Sequence, residues 1–290
     1  MICRTGTTVA PGIARPCAAV IGSVAIWAFG AAASAATGAC DDGPWAAIET
    51  AAVSNARTIV LGDGRPVRLA GVESLAALAR DAKTANAMDA RLAGRLAQLL
   101  AAKPLRIRIL PGKPDRHGRH PALVMAKDGL LHEHLLSAGL AVFMPESFAG
   151  GSLASDDPGG TCARRLLAIE AAARLARRGG WSEPGIIVAA AQPDALSTQF
   201  GHFVIFQGIV RSVGTRHDRT YIDFGSEWRS DVTVEIAANR RRHFGGEAAL
   251  EALAGRLVRV RGFLQEKAGP MVPVRHPAQI EVLSGAEPRQ

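Results

Sequence analysis

"PVRLAGVES", running from Pro66 to Ser74, opens with a short apolar run, Pro66 to Gly71, of the kind that forms a strand. A second such run, Thr58 to Leu61, precedes it, and Asp63-Gly64 separates the two as a strong hairpin signal. Downstream, Asp81 to Leu100 reads as a helix, because Ala85, Met88, Leu92, Leu96 and Leu99 recur at three- and four-residue steps. Leu105 to Leu110 alternates apolar and basic residues, as a half-buried strand would, and "DRHGR", Asp115 to Arg119, supplies the next turn. Pro121 to Ala126 reads as a strand, Leu131 to Ser137 as a short helix ended by Gly139, and Cys162 to Arg178 as a closing helix.

The first 35 residues carry a separate signal. Arg4 and Arg15 form a positive leader without acids, Cys17 to Phe29 is almost wholly apolar, and Ala33-Ser34-Ala35 resembles a cleavage site. A transmembrane anchor is the alternative, although the apolar run is short for a span and ends in alanines. A lipoprotein would need a bulky apolar residue in "TGAC" before Cys40, and none is there. Cleavage near Ala36 would remove Cys3 and Cys17 and place the chain in the periplasm or outside the cell. Cys40 and Cys162 would then remain, either as one disulfide or as two buried thiols. The 290-residue chain has a formal charge of +8, of which Arg4 and Arg15 supply two. This mild excess favours an anionic partner without identifying one. Its arginine-rich, alanine-rich composition fits a GC-rich genome equally well.

On "PVRLAGVES", "DRHGR", "LLSAGLAVFMP" (135–145) and "IEAAARLARRGGW" (169–181), the chain resembles the thermonuclease family, the staphylococcal-nuclease-like domains that cut DNA and RNA. The likeness runs from about Val53 to Trp181. It implies a five-stranded oligonucleotide/oligosaccharide-binding (OB) barrel flanked by helices. It also implies a centre in which carboxylates hold calcium, a glutamate activates water and two arginines grip phosphate. Arg68 and Arg119 stand at the two arginine positions, where guanidinium forks match phosphate oxygens. The acids diverge. "SNART", Ser54 to Thr58, replaces the usual "DGDT" and puts Arg57 at a metal-binding aspartate, while "ESLA", Glu73 to Ala76, replaces "DAPE". Glu73 keeps one acid, but Ala76 cannot accept a proton. Asp63 is better explained by its turn than as a substitute ligand. His132-Glu133-His134 has a metal-like look, yet two histidines two apart on a helix face opposite ways. His117 and His120 are either auxiliary bases or ordinary surface histidines. No metal site is expected, and calcium enters only if hydrolysis is retained.

From Phe203 the pattern becomes all-strand: Phe203 to Val213, Tyr221 to Phe224, Val232 to Ile236, Leu257 to Leu264 and Gln279 to Leu283, with a helix over Glu247 to Ala254. This order, and the runs "QGIVRSV", "GRLVRVRGFL" and "HPAQIEVL", resemble small bacterial OB domains. Tyr221 should face away from the core filled by Ile222 and Phe224, with Trp228 as a second stacking platform. Arg216, Arg219, Arg229 and the run Arg240-Arg241-Arg242 would supply charge for nucleic acid, or merely a solvated loop.

The expectation is an α+β protein: a leader (1–35), a nuclease-like OB barrel with flanking helices (50–183), a linker (184–199) and a second, mainly β OB barrel (200–285). Its expected function is binding of DNA or RNA through a degenerate catalytic centre. The alternatives are an active metal-dependent phosphodiesterase and a periplasmic protein-interaction module, with any protein partner left open.

Overall fold

The chain enters its first sheet through β1 (Ala46–Ile48) and β2 (Ala51–Asn55), then folds back through β3 (Thr58–Leu61) and β4 (Pro66–Leu69). The Asp63-Gly64 turn joins β3 to β4, closed by Leu61 N donating to Arg65 O at 3.0 Å, with Gly64 at φ +83°. After β5 (Val72–Ser74) come helix α1 (Ala82–Ala101), β6 (Leu105–Ile109), β7 (His120–Ala126), β8 (Gly129–Leu130), α2 (Leu131–Ser137), β9 (Ala141–Phe143) and α3 (Thr161–Leu175). The sheet path is β1-β6-β7-β4-β3-β2, with β8 on β7 and a separate β5–β9 pair. Only Glu49 and Thr50 separate β1 from β2, so the two ends of this path are neighbours in the chain and the sheet curls into a half-barrel. β4 and β7 pair in parallel, which requires a long crossover, and α1 with β6 provides it.

Local chemistry sets these elements. Asp81 caps α1, its carboxylate accepting from Thr84 N at 2.8 Å. Met88, Leu92, Leu96 and Leu99 bury one face of α1, together with Leu100. Burial of each such side chain contributes about 1.5–3 kcal/mol. Gly139 ends α2 at φ +66°, where a Cβ would lie 2.1 Å from Arg178 O. Only glycine fits there. Cys40 and Cys162 are disulfide-bonded, with Cα atoms 5.1 Å apart, and tie the start of the described chain to α3.

The second part contains β10 (Val188–Ala189), α4 (Pro193–Ser197), β11 (Phe203–Ile209), β12 (Ser212–Thr215), β13 (Arg219–Asp223), β14 (Thr233–Ala237), α5 (Glu247–Glu251), β15 (Leu257–Phe263), β16 (Gln265–Glu266), β17 (Pro270–Val274) and β18 (Ile280–Val282). They form two sheets, β10-β11-β15-β18 and β12-β13-β14-β17-β16. The run expected as one strand from Phe203 to Val213 divides at Val210-Arg211. There Val210 N turns to Arg256 O and Arg211 N to Asp223 O, so the chain passes from one sheet to the other.

β17 has no counterpart among the expected strands, and its Pro270 and Pro273 are residues that disfavour a central strand. β17 nevertheless pairs in parallel with β14, and β16 reaches only Pro270 and Met271, so no β16 residue is registered with Pro273. The expected final strand, Gln279 to Leu283, is the shorter β18, which pairs with β15.

The whole is mixed α+β. The structure, a computed structural model, describes residues 40, 44–145, 160–227, 229–267 and 269–283. The leader expected over residues 1–35 and Trp228 lie outside these. Among the described residues no helix is long and apolar enough to cross a membrane. Each half has its own core, and a third cluster joins them, with Leu75, Leu78, Met88, Val142 and Trp181 meeting Ile186, Phe203 and Ile205. The stretch expected as a linker is packed: Ile186, Val188 and Leu196 are all buried.

Candidate functional site

Alternation along β4 buries Val67 and Leu69 and leaves Arg68 between them on the opposite face. The "DRHGR" turn brings Arg119 to the same place. Its Asp115 Oδ1 accepts from His117 N at 2.9 Å and Arg119 N at 3.1 Å, and Gly118 takes φ +73° to close the turn. Asp115 Oδ2 then lies 2.8 Å from Arg119 Nη2 and 3.7 Å from Arg68 Nε. One carboxylate oxygen therefore lies between the two guanidinium groups. Arg119 also donates from Nη1 to Arg57 O at 3.1 Å, bracing the turn against the β2–β3 loop.

Electrostatics follow this geometry. Burial lowers the Arg68 pKa below its ordinary value and Arg119 adds to the effect, against the opposing pull of Asp115 and Glu73. An arginine so placed stays charged near neutrality. Burial works against the Asp115 charge, but the N–H groups of Arg119 and His117 and the Arg119 guanidinium outweigh it and lower its pKa.

Arg57 and Glu73 pair at 2.8 Å, and Glu73 Oε1 also accepts from Ser74 N at 2.9 Å. Glu73, which the resemblance would keep as an acid, is thus paired with Arg57, which it would put at a metal-binding position. Ala76 lies in a 3-10 turn, Leu75–Leu78, with its methyl buried. The calcium that the resemblance implies does not fit these residues. Glu73 is held by Arg57, Asp115 is held by two arginines, and among the described residues no group of three His, Cys, Asp or Glu side chains could hold a metal ion. In the His132-Glu133-His134 run, His132 is fully buried, with its Nε2–H donating to Ala70 O at 2.8 Å. Glu133 pairs with Arg165 at 2.6 Å.

Arg57, Arg68, Glu73 and Arg119 line a cavity of about 60 Å³ floored by Ile59, Leu92 and Leu96. A larger cleft of about 1160 Å³ adjoins it. Arg57, Arg116 and Arg119 line this cleft from the first half, and Gly201, His202, Phe203 and Phe263 from the second. Sequence reading missed Asp115 as the bridging acid, and also Asp89. The latter lines the cleft from α1 and has a buried Oδ1 without a hydrogen-bond partner among the described residues. Neither carries a local signal beyond an ordinary turn or helix acid.

In the second half, Tyr221 is half-buried on the face of β13 opposite the buried Ile222. It sits in register with Gly214 and Glu235. Arg219 pairs with Asp218 at 3.1 Å and with Glu235, and Lys267 reaches the same Glu235 at 2.7 Å. Arg241 donates to Thr220 Oγ1 at 2.9 Å, Arg219 O at 2.8 Å and Arg216 O. Its guanidinium fastens the β12–β13 turn. Arg240 donates to Arg275 O at 3.3 Å. Arg216, Arg229 and Arg242 are exposed, and none of these second-half arginines lines the cleft that Arg119 lines. Neither a protein-family model nor a curated protein matches this sequence.

Proposed function

We propose that this chain binds nucleic acid through phosphate contacts at Arg68 and Arg119 and does not hydrolyse it. The observation that carries the reading is Asp115 Oδ2 held between the two guanidinium groups, at 2.8 and 3.7 Å. An anionic oxygen is the natural occupant of that position, and a backbone phosphate can take it with a bidentate fork. Hydrolysis would need a base, and the resemblance assigns that position to Ala76. It would also need charge neutralisation of the kind calcium supplies, which the pairing of Glu73 with Arg57 opposes.

Both halves are read as OB barrels. Support comes from a shared topology: each half contains a parallel pair, β4 with β7 and β14 with β17, within a mostly antiparallel arrangement. An oxidising, exported location is part of the same reading. It is supported by the leader pattern and by the Cys40–Cys162 disulfide.

The test is binding of a labelled single strand by the full chain at two salt concentrations, with cleavage of supercoiled plasmid followed in calcium, magnesium and manganese. Binding that weakens steeply with salt and falls in Arg68→Ala and Arg119→Ala is expected, without cleavage. Metal-dependent cleavage abolished by either variant would establish an active phosphodiesterase instead. Absence of any binding at low salt would favour a protein-interaction module.

A further inference from the structure

We infer that the cleft between the two halves is a single-strand site, with Phe263 stacking an unpaired base opposite the arginines that hold the backbone. The inference rests on the phosphate-binding reading and adds the form of the nucleic acid and a second-half residue that selects it. Phe263 ends β15 and is 44% exposed. Among the described residues no other Phe, Tyr or Trp is exposed. Its cross-strand partner on β11 is the buried Phe203, and the rings meet edge to face with centroids 5.6 Å apart. The outer ring is therefore held in place while its surface faces the cleft.

The two walls are chemically complementary to a splayed strand. Arg57, Arg116 and Arg119 face the cleft from the first half, and the Phe263 ring faces it from the second. Acids lie on the same wall: Glu73 pairs with Arg57, Asp115 is shared by Arg119 and Arg68, and Asp89 also lines it. A phosphate therefore gains these arginines by replacing the carboxylates. At about 1160 Å³ the cleft exceeds the ~300–1,000 Å³ typical of small-molecule sites. Backbone bonds knit its second wall, Gly201 N to Leu264 O at 2.8 Å and Leu264 N to His202 O at 2.9 Å. Phosphate-binding arginines opposite an exposed aromatic face suit a single strand, because duplex bases are stacked on each other and present no free face.

The experiment compares a fluorescent oligothymidylate of about 12 nucleotides, within the ~4–16 that an OB fold covers, with a duplex of equal length. The full chain is measured beside Phe263→Ala, Phe263→Leu, Phe263→Tyr and Arg119→Ala. Phe263→Leu keeps an apolar contact with Phe203, so a loss shared by Ala and Leu reports the aromatic face rather than folding. Expected is tighter binding of the single strand than of the duplex. A loss of roughly 5- to 150-fold is expected in Phe263→Ala and Phe263→Leu, with retention in Phe263→Tyr. If Arg119→Ala loses binding while every Phe263 variant matches wild type, phosphate binding stands and the stacking site is wrong. Equal affinity for duplex and single strand overturns the inference as well. If the unaltered chain binds neither probe, the functional reading itself fails.

Discussion

Arg261 on β15 donates from Nη1 to Glu170 Oε2 on α3 at 2.9 Å, and both side chains have no exposure to solvent. The pair crosses between the halves and is the centre of a network. Glu170 also accepts from Phe143 N at 2.7 Å, and Arg261 donates to Phe143 O at 3.1 Å and pairs with Glu281. Burial disfavours the guanidinium charge, but Glu170 and Glu281 outweigh it and hold the Arg261 pKa above its ordinary value. Arg174 also pairs with Glu170, at 3.5 Å and likewise buried, so removing Arg261 leaves Glu170 one arginine partner. The cost of about 3–5 kcal/mol for a wholly unpaired buried charge is then an upper bound. Arg261→Met should therefore lower stability by no more than that amount in denaturant titration. Glu170→Gln, which takes a carboxylate from both Arg261 and Arg174, should cost more than Arg261→Met. With Ile186, Val188 and Leu196 buried, native proteolysis within 184–199 should be slow and should accelerate in Arg261→Met.

Reduction should loosen the fold without abolishing the site. Cys40 and Cys162 are 122 residues apart, and in the chain-entropy model closing such a loop contributes at most ~4–5 kcal/mol. Adding reductant during a denaturation titration should shift the midpoint by no more than that. Free-thiol labelling of the unfolded, unreduced protein should find neither cysteine reactive.

His132 should make stability depend on pH. Its imidazole is fully buried, which lowers its pKa to about 4 against the weaker, opposing effect of its hydrogen bond to Ala70 O. Nδ1 has no hydrogen-bond partner among the described residues, so the protonated ring would bury an N–H that none of them accepts. The folded pKa lies below the unfolded value near 6.5, so this contribution is complete above pH 6.5 and is lost as pH falls toward 4. The loss amounts to about 3 kcal/mol. His132→Gln should flatten the stability profile across that window.

Affinity should respond oppositely to the acids and bases of the cavity. Arg68→Ala or Arg119→Ala should weaken oligonucleotide binding about 10- to 150-fold, the range for a lost hydrogen bond to a charged group. Each should reduce the magnitude of the salt slope by about 0.7 per lost single-strand phosphate contact. Glu73→Gln should leave affinity unchanged or raise it by up to about 5-fold, since it removes only a partly exposed ion pair with Arg57. Fluorescence anisotropy over a salt series measures all three.

By itself the sequence determined the elements whose signals are local. The three- and four-residue spacing from Met88 to Leu99 produced α1, Asp81 capped it, and Asp63-Gly64 joined β3 to β4. Strand alternation likewise put Arg68 opposite Val67 and Leu69. These features depend on side-chain periods of two and 3.6 and on hydrogen bonds a few residues long. The tertiary structure decided what depends on distant segments. β17, with its two prolines, formed because β14 pairs with it, and Arg57, read at a metal-binding position, forms an ion pair with Glu73, read as a residual acid. Arg261 and Glu170 stand 91 residues apart, and nothing near either residue announces a buried charge. The placement of Phe263 opposite Arg119 has the same origin: packing of the two halves around Phe203, Leu75 and Trp181 brings together side chains that no local period relates.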